Sequence, residues 1–192
     1  MDLTGRARIR DSAMAVFARD GVAASSLRGV ARAAGVSPSL VVHHFGSKQG
    51  LVEAVDEAVV ERFMERLRSV PIEGPRLLER RAEAIADLMR AEPLVCDYLA
   101  RTLAEGGDAG AELFHRLFVV ARADGPLVAA GAIRSDTDVD WRAIQQIVLV
   151  VGPLMLRPLV ERELGSSLYE PEAIARWMAA NVDLLERGLY AA

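Results

Sequence analysis

Between Ser37 and Lys48 the sequence sets out Ser37, Ser39, Val42, His43, His44 and Lys48, hydrogen-bonding and basic groups with one aliphatic side chain among them. A serine hydroxyl donates and accepts, a neutral imidazole presents one donor and one acceptor, and a lysine ammonium carries three donors. Groups of this kind match the edges of stacked bases and the phosphates that wall a major groove, and an aliphatic residue matches the methyl of thymine. Ser39 and His43 are therefore candidates for base edges, Val42 for a thymine methyl, and His44 and Lys48 for phosphate. Ser37 shares the same stretch, and Ser26 and Arg28 lie just upstream, where they could reach a nucleic-acid backbone or a base. Other chemistries fit these residues less well. His43 and His44 are adjacent, so on a helix they point about 100° apart. No His or Cys stands at i+3 or i+4 to complete a metal site. The chain has no Gly-x-Ser-x-Gly nucleophile elbow and His115 is isolated, so we expect neither an enzyme nor a cofactor.

These side chains need a frame, and the apolar periodicity supplies one. Ile9, Ala13, Val16 and Phe17 form the stripe of a first helix over about Thr4–Asp20, closed by Gly21. Leu27, Val30, Ala31 and Ala34 form that of a second, capped by Ser25 or Ser26 and closed by Gly35. Ser37 is a good N-cap for a third helix of about two turns, because Pro38 falls at the first helical position, where a missing N–H costs nothing. Val41 and Phe45 would face inward together with Leu27, Val30, Ala31 and Val36. Two short helices joined by a glycine turn, the second free to enter a groove, are what a helix-turn-helix requires. Ser47 caps a long fourth helix reaching about Ser69, with Leu51, Val55, Val59 and Phe63 along its inner side.

Beyond Pro71 to Pro75 the pattern predicts a fifth helix to Arg90, a sixth from Pro93 to Gly106-Gly107 and a seventh over Asp108–Arg122, interrupted near Gly125-Pro126. A polar loop, Arg134 to Asp138, precedes an eighth, Trp141 through Glu163, which Gly152-Pro153 and Pro158 should bend or break. Pro171 opens a ninth, with Ile174, Trp177, Met178, Val182 and Leu185 in register. The expectation is an all-α chain of about nine helices. Residues 1–47 would form a DNA-binding unit, and residues 48–192 a helical ligand-binding and dimerisation unit.

Composition agrees with a helical fold that has a sizeable core. Apolar residues make up 52% of the 192 residues and aromatics only 5%. The net charge of −4 is unevenly placed: residues 1–50 carry seven basic and three acidic side chains, and the remainder 16 and 24. A basic segment on an acidic body suggests an anionic partner at one end, although a chance excess of arginines on solvated faces would give the same count. The single cysteine, Cys96, excludes an intrachain disulfide and reads as an inert buried thiol. The longest uncharged stretch, residues 143–156, has 14 residues, short of the roughly 20 that span a bilayer. The N-terminus lacks a signal-peptide core. We expect a cytoplasmic protein with no membrane partner.

The ordered run Arg8-Ile9, Ala13, Val16-Phe17-Ala18-Arg19-Asp20-Gly21, Ser25-Ser26-Leu27-Arg28-Gly29-Val30-Ala31-Arg32-Ala33-Ala34-Gly35-Val36-Ser37, His43-His44-Phe45-Gly46-Ser47-Lys48 and Leu51 resembles the N-terminal signature of the TetR family of transcriptional regulators. The resemblance covers about the first 55 residues without gaps. The rest is similar to the family only in helix number and layout. Two residues depart from the pattern. Val42 stands where the family commonly has tyrosine, which removes a phenol from the groove. Gly29 replaces a larger residue and should loosen the second helix by ~1 kcal/mol relative to alanine. Lys48, the only lysine in the chain, falls at the family's phosphate-binding position.

The resemblance implies a homodimer on double-stranded operator DNA, paired through the eighth and ninth helices and released by a small-molecule effector. The run Ile147 to Val151 is apolar all round and needs cover on every side, by a partner subunit or by the monomer itself. Candidate pocket residues are Leu88, Met89, Cys96, Tyr98, Leu99, Phe114, Phe118, Trp141, Gln145, Val148 and Met155, a set that describes an ordinary core equally well. A helical small-molecule carrier, or an enzyme without a DNA partner, is the competing reading.

Overall fold

The computed structural model describes residues 3–123, 127, 131 and 136–187. Gly125-Pro126 and the loop residues Arg134-Ser135, both singled out above, lie outside the described residues. Among those described there are helices and no strand: α1 (Leu3–Asp20), α2 (Leu27–Ala34), α3 (Pro38–Phe45), α4 (Lys48–Arg68), α5 (Leu77–Ala91), α6 (Pro93–Glu105), α7 (Gly107–Arg122), α8 (Val139–Met155), α9 (Arg157–Leu164) and α10 (Pro171–Arg187). No single described helix is long and apolar enough to cross a membrane.

Among the described residues ten helices stand where nine were expected, because the predicted eighth is two. The chain turns through 73° between α8 and α9. The hinge is Leu156, at φ −94 and ψ 13. Pro158 has no N–H to give the Leu154 carbonyl four residues back, so the α8 ladder cannot run on through it, whereas in the first turn of α9 the missing N–H costs nothing. The ladder restarts from the Leu156 carbonyl, which accepts from Leu159 N at 2.9 Å and Val160 N at 3.0 Å.

Pro153 acts differently: it stays inside α8. Its missing N–H leaves the Leu149 carbonyl without a partner in its own helix. Two side chains of α10 fill that vacancy. Trp177 Nε1 and Asn181 Nδ2, one turn apart, each donate to Leu149 O at 3.1 Å.

The chain resolves into two compact units, one of residues 1–61 and 94–115, the other of 62–93 and 116–192. In the first, α1 packs on α2 and α2 on α3. Its core is built from Ile9, Ala13, Met14, Val16 and Phe17 of α1, Val30, Ala31 and Ala34 of α2, Val41 and Phe45 of α3, Leu51, Val52, Val55 and Val59 of α4, and Val95, Cys96, Tyr98 and Leu99 of α6. Each fully buried large apolar side chain contributes roughly 1.5–3 kcal/mol. Leu27 and Val36, expected to support the helix-turn-helix, are only half-buried.

In the second unit α10 packs on α5. Ile85, Ala86, Leu88 and Met89 meet a core that includes Ala143, Ile147, Val151, Leu154, Ile174, Met178 and Val182. Leu185, placed in register with that stripe, is exposed instead. The α4–α5 connection is held by Arg80. Its guanidinium donates to three carbonyls, Pro75 O at 2.6 Å and Pro71 O and Glu73 O at 3.0 Å.

Candidate nucleic-acid interface

The turn between α2 and α3 is set by the chain itself. Ser26 caps α2, its Oγ accepting from Gly29 N at 3.1 Å. At the other end Gly35 adopts a left-handed conformation, φ 66 and ψ 36. Gly35 N donates to Arg32 O at 3.2 Å and Val36 N to Ala31 O at 2.9 Å, which pairs two carbonyls the helix end would otherwise leave open. Ser37 then caps α3, accepting from Leu40 N at 3.2 Å, with Pro38 in the first turn. Its Oγ lies 2.9 Å from Ser39 Oγ. Caps of this kind each contribute ~1 kcal/mol.

Alternation along α3 then decides which groups face outward. Val41 and Phe45 are buried, while Ser37, Ser39, Val42 and His43 are exposed. Val42 is 46% exposed although its chain neighbour Val41 is fully buried. His44 is half-buried, its ring edge-on to His43 at 5.4 Å and to Phe45 at 6.2 Å. No group of three or more metal-ligating side chains gathers among the described residues. Arg28 and Arg32 are exposed on α2 and take part in no ion pair among the described residues. Arg10 and Arg19 differ, each lying against the acidic residue that follows it, Asp11 at 3.0 Å and Asp20 at 2.6 Å. The hydrogen bond from Arg19 holds the Asp20 carboxyl below its ordinary range.

Lys48, expected at a phosphate, also has a partner within the protein. Its ammonium reaches back 25 residues and donates to Ala23 O at 3.2 Å, which ties the start of α4 to the α1–α2 loop. Two of its three N–H groups remain for another acceptor. Ser47 caps α4 as expected, accepting from Gly50 N at 3.0 Å.

Two residues that matter here escape a reading of the sequence. An added Cβ on Gly50 would lie 2.3 Å from the Phe45 carbonyl oxygen, so only glycine allows the end of α3 to approach the start of α4 this closely. A glycine in the first turn of a predicted helix is the signal that was available, since it costs ~1 kcal/mol unless packing requires it. The other is Arg6, whose guanidinium lies 5.0 Å from the centre of the Phe45 ring. It joins the first turns of α1 to the end of α3.

Behind the helix-turn-helix, in the same unit, a polar pair is buried. Tyr98 of α6 donates its hydroxyl to Asp56 Oδ1 of α4 at 2.5 Å, and neither side chain reaches solvent. Burial, then the charge of Asp56, pushes the phenol above its ordinary range. The Tyr98 ring also lies 6.4 Å from that of Phe17 in α1.

The candidate pocket residues come from both compact units. Leu88 and Met89 are buried in the second unit, and Cys96, Tyr98 and Leu99 in the first. Phe114 is partly exposed on α7, and Phe118 packs near the Arg122 guanidinium at 5.8 Å. Trp141, Gln145, Val148 and Met155 are exposed along α8.

Residues 9–55, which hold all of this local geometry from the α1 stripe to Val55, match the family model described as bacterial regulatory proteins, tetR family. A relative from Mycobacterium tuberculosis, the HTH-type transcriptional regulatory protein RaaS, is 35% identical over 146 residues, covering 74% of this chain and 66% of its own length. The chain belongs to the TetR family. UidR of Escherichia coli K12, an HTH-type transcriptional regulator, is 32% identical over 83 residues, which are 43% of this chain and 42% of UidR. The matched region thus spans just under two thirds of one curated relative and less than half of the other. Across the whole TetR fold, the crystal structure of PfmR, a TetR family transcriptional regulator from Thermus thermophilus, superposes with a TM-score of 0.66 at 20% identity, over 96% of this chain and 97% of that one. The likeness at that identity is one of fold.

Proposed function

We propose that this chain is a DNA-binding transcriptional regulator. On this reading it is a homodimer that represses from a palindromic operator and leaves it when a small molecule binds. The carrying observation is α3, a two-turn helix capped at both ends and anchored by buried Val41 and Phe45, which holds Ser39, Val42 and His43 out toward solvent. Ser39 meets the cap Ser37 and the His43 ring meets that of His44, but all three side chains lie outside the buried core. They suit base edges: a hydroxyl and an imidazole can hydrogen-bond such edges, and Val42 can cover a thymine methyl. Ser26, Arg28, Ser37, His44 and Lys48 surround them as candidates for the phosphates. Ser26 and Ser37 would contribute chiefly through the helix N-termini they cap.

Residues 1–47 would read DNA and residues 48–192 bind the effector and dimerise. In a two-fold dimer, two copies of α3 would meet successive major grooves ~34–36 Å apart. Exposed Val148 on α8, Leu156, Leu159 and Leu164 at the elbow and along α9, and Leu185 on α10 support pairing through these last helices. An effector that shifts α4, which carries the reading unit through Leu51 to Phe63, would spoil the half-site spacing, and a coupling of ~1–3 kcal/mol is ordinary for such systems.

The test uses the purified full chain at low ionic strength, with the duplex upstream of its own gene and a random-sequence pool. The wild type should retard DNA and His43→Ala should lose the selective part of that binding. Failure of the wild type to retain any duplex would overturn the reading.

A further inference from the structure

The Tyr98–Asp56 pair is an odd thing to find in a core. A carboxylate and a phenol lose their hydration there, and two well-packed apolar side chains of similar size are commonly as stable or more so. What such a pair supplies is geometry. A hydrogen bond of 2.5 Å fixes one separation and one direction, whereas apolar surfaces can slide past each other.

The pair's position gives that geometry a use. Asp56 lies in α4 one turn beyond Val52 and shares its face with buried Val59 and Phe63. Tyr98 comes from α6, far along the chain, yet residues 94–115 belong to the same compact unit as α1, α2 and α3. Its ring meets Phe17 of α1 while its hydroxyl meets α4. The end of α6 makes a second attachment: Arg101 Nη2 donates to Asp20 O, the last carbonyl of α1, at 3.4 Å and pairs with Glu105 at 2.6 Å. At Gly21 an added Cβ would lie 2.0 Å from Glu105 Oε1, so that carboxylate sits hard against the end of α1. Thus α6 is held at an interior point and at a rim point, on the two helices that back the helix-turn-helix.

We propose that Tyr98 and Asp56 are a positioning latch: their hydrogen bond fixes α6 against α4 and thereby sets the presentation of α3 to DNA. The inference rests on the DNA-binding reading above and names the two residues that join α6 to α4 behind the recognition helix. Both side chains are fully buried, so neither is a DNA contact; the Tyr98 ring fills core space, and the latch is the hydrogen bond its hydroxyl adds.

The deciding variant is Tyr98→Phe combined with Asp56→Leu in the full chain, which removes both polar groups and leaves the Phe17 ring contact in place. It should melt within about 4 °C of the wild type or above it. Its binding to a duplex enriched by the wild type from random DNA should weaken at least about fivefold. Amide hydrogens of residues 38–56 should exchange at least about tenfold faster. Wild-type affinity in this stable variant would overturn the latch, because a merely structural pair can be replaced without cost to binding. If the double variant fails to fold, Tyr98→Phe alone is read in the same way. If the wild type enriches no duplex, the DNA-binding reading has failed, and the exchange rates alone decide whether the latch orders α3 and α4.

Discussion

The proline inside α8 permits a quantitative test of how this chain settles its backbone accounts. Pro153 leaves Leu149 O without an intrahelical donor, and Trp177 Nε1 and Asn181 Nδ2 supply two, both at 3.1 Å in partly buried surroundings. Removing one donor, by Asn181→Leu, leaves the other in place, so the loss should be one net hydrogen bond, ~1 kcal/mol. Removing both, with Trp177→Phe as well, orphans a carbonyl screened from water and should add the larger penalty of ~1–3 kcal/mol. Pro153→Ala restores the N–H that the helix lacks. In that background the two side-chain donors are redundant, and their combined removal should cost ~1–2 kcal/mol less than in the wild type. Chemical denaturation, at one fixed concentration, of the wild type, the variant lacking both donors, Pro153→Ala and their combination measures that coupling as a double-mutant cycle. Equal losses with and without Pro153 would refute the reasoning and leave Trp177 and Asn181 as packing residues only.

Two further outcomes follow from the interface. Gly50→Ala drives a Cβ to within 2.3 Å of a backbone oxygen that cannot move independently, and should destabilise the first unit by ~2 kcal/mol or more in thermal melts, with α3 displaced and duplex binding lost. Arg28→Ala removes an exposed cation with no ion pair to replace, so stability should stay within ~0.5 kcal/mol. The slope of log affinity against log salt should fall by about one for the lost phosphate contact, as titrations with a retained duplex would show.

Legibility in the sequence followed the range of the forces. The caps at Ser37 and Ser47, the turn at Gly35 and the first-turn Pro38 act within three or four residues, and all were readable. So were the inward stripes of α1 and α4, and that of α2 apart from half-buried Leu27, because burial obeys the helical period. The break after Met155 was half readable. The prolines announced trouble, yet which one would end the helix depended on whether a second helix could supply donors, and for Pro153 those donors lie 28 and 32 residues away from the carbonyl they serve. Lys48 finding Ala23, Arg6 covering Phe45 and Tyr98 reaching Asp56 across 42 residues are pairings that no local pattern encodes. The same reason separates the reading face from the pocket. Ser39, Val42 and His43 could be placed because three short helices fix them locally. Trp141 and Val148, exposed on α8 in the single chain, were named as pocket candidates on apolar character, which does not say on which side of a helix a residue will sit.

Lys48 carries the one side-chain amine in the chain, and it stands at the junction of α4 with the α1–α2 loop. Amine-directed chemistry therefore has a single side-chain target here, beside the surface that would meet a duplex. Immobilising the protein on an activated ester chip, or tagging it with an acylating dye, would occupy or mask that surface. A fluorophore coupled there under conditions that spare the terminal amine would in turn be a reporter placed beside the helix whose engagement one wishes to follow.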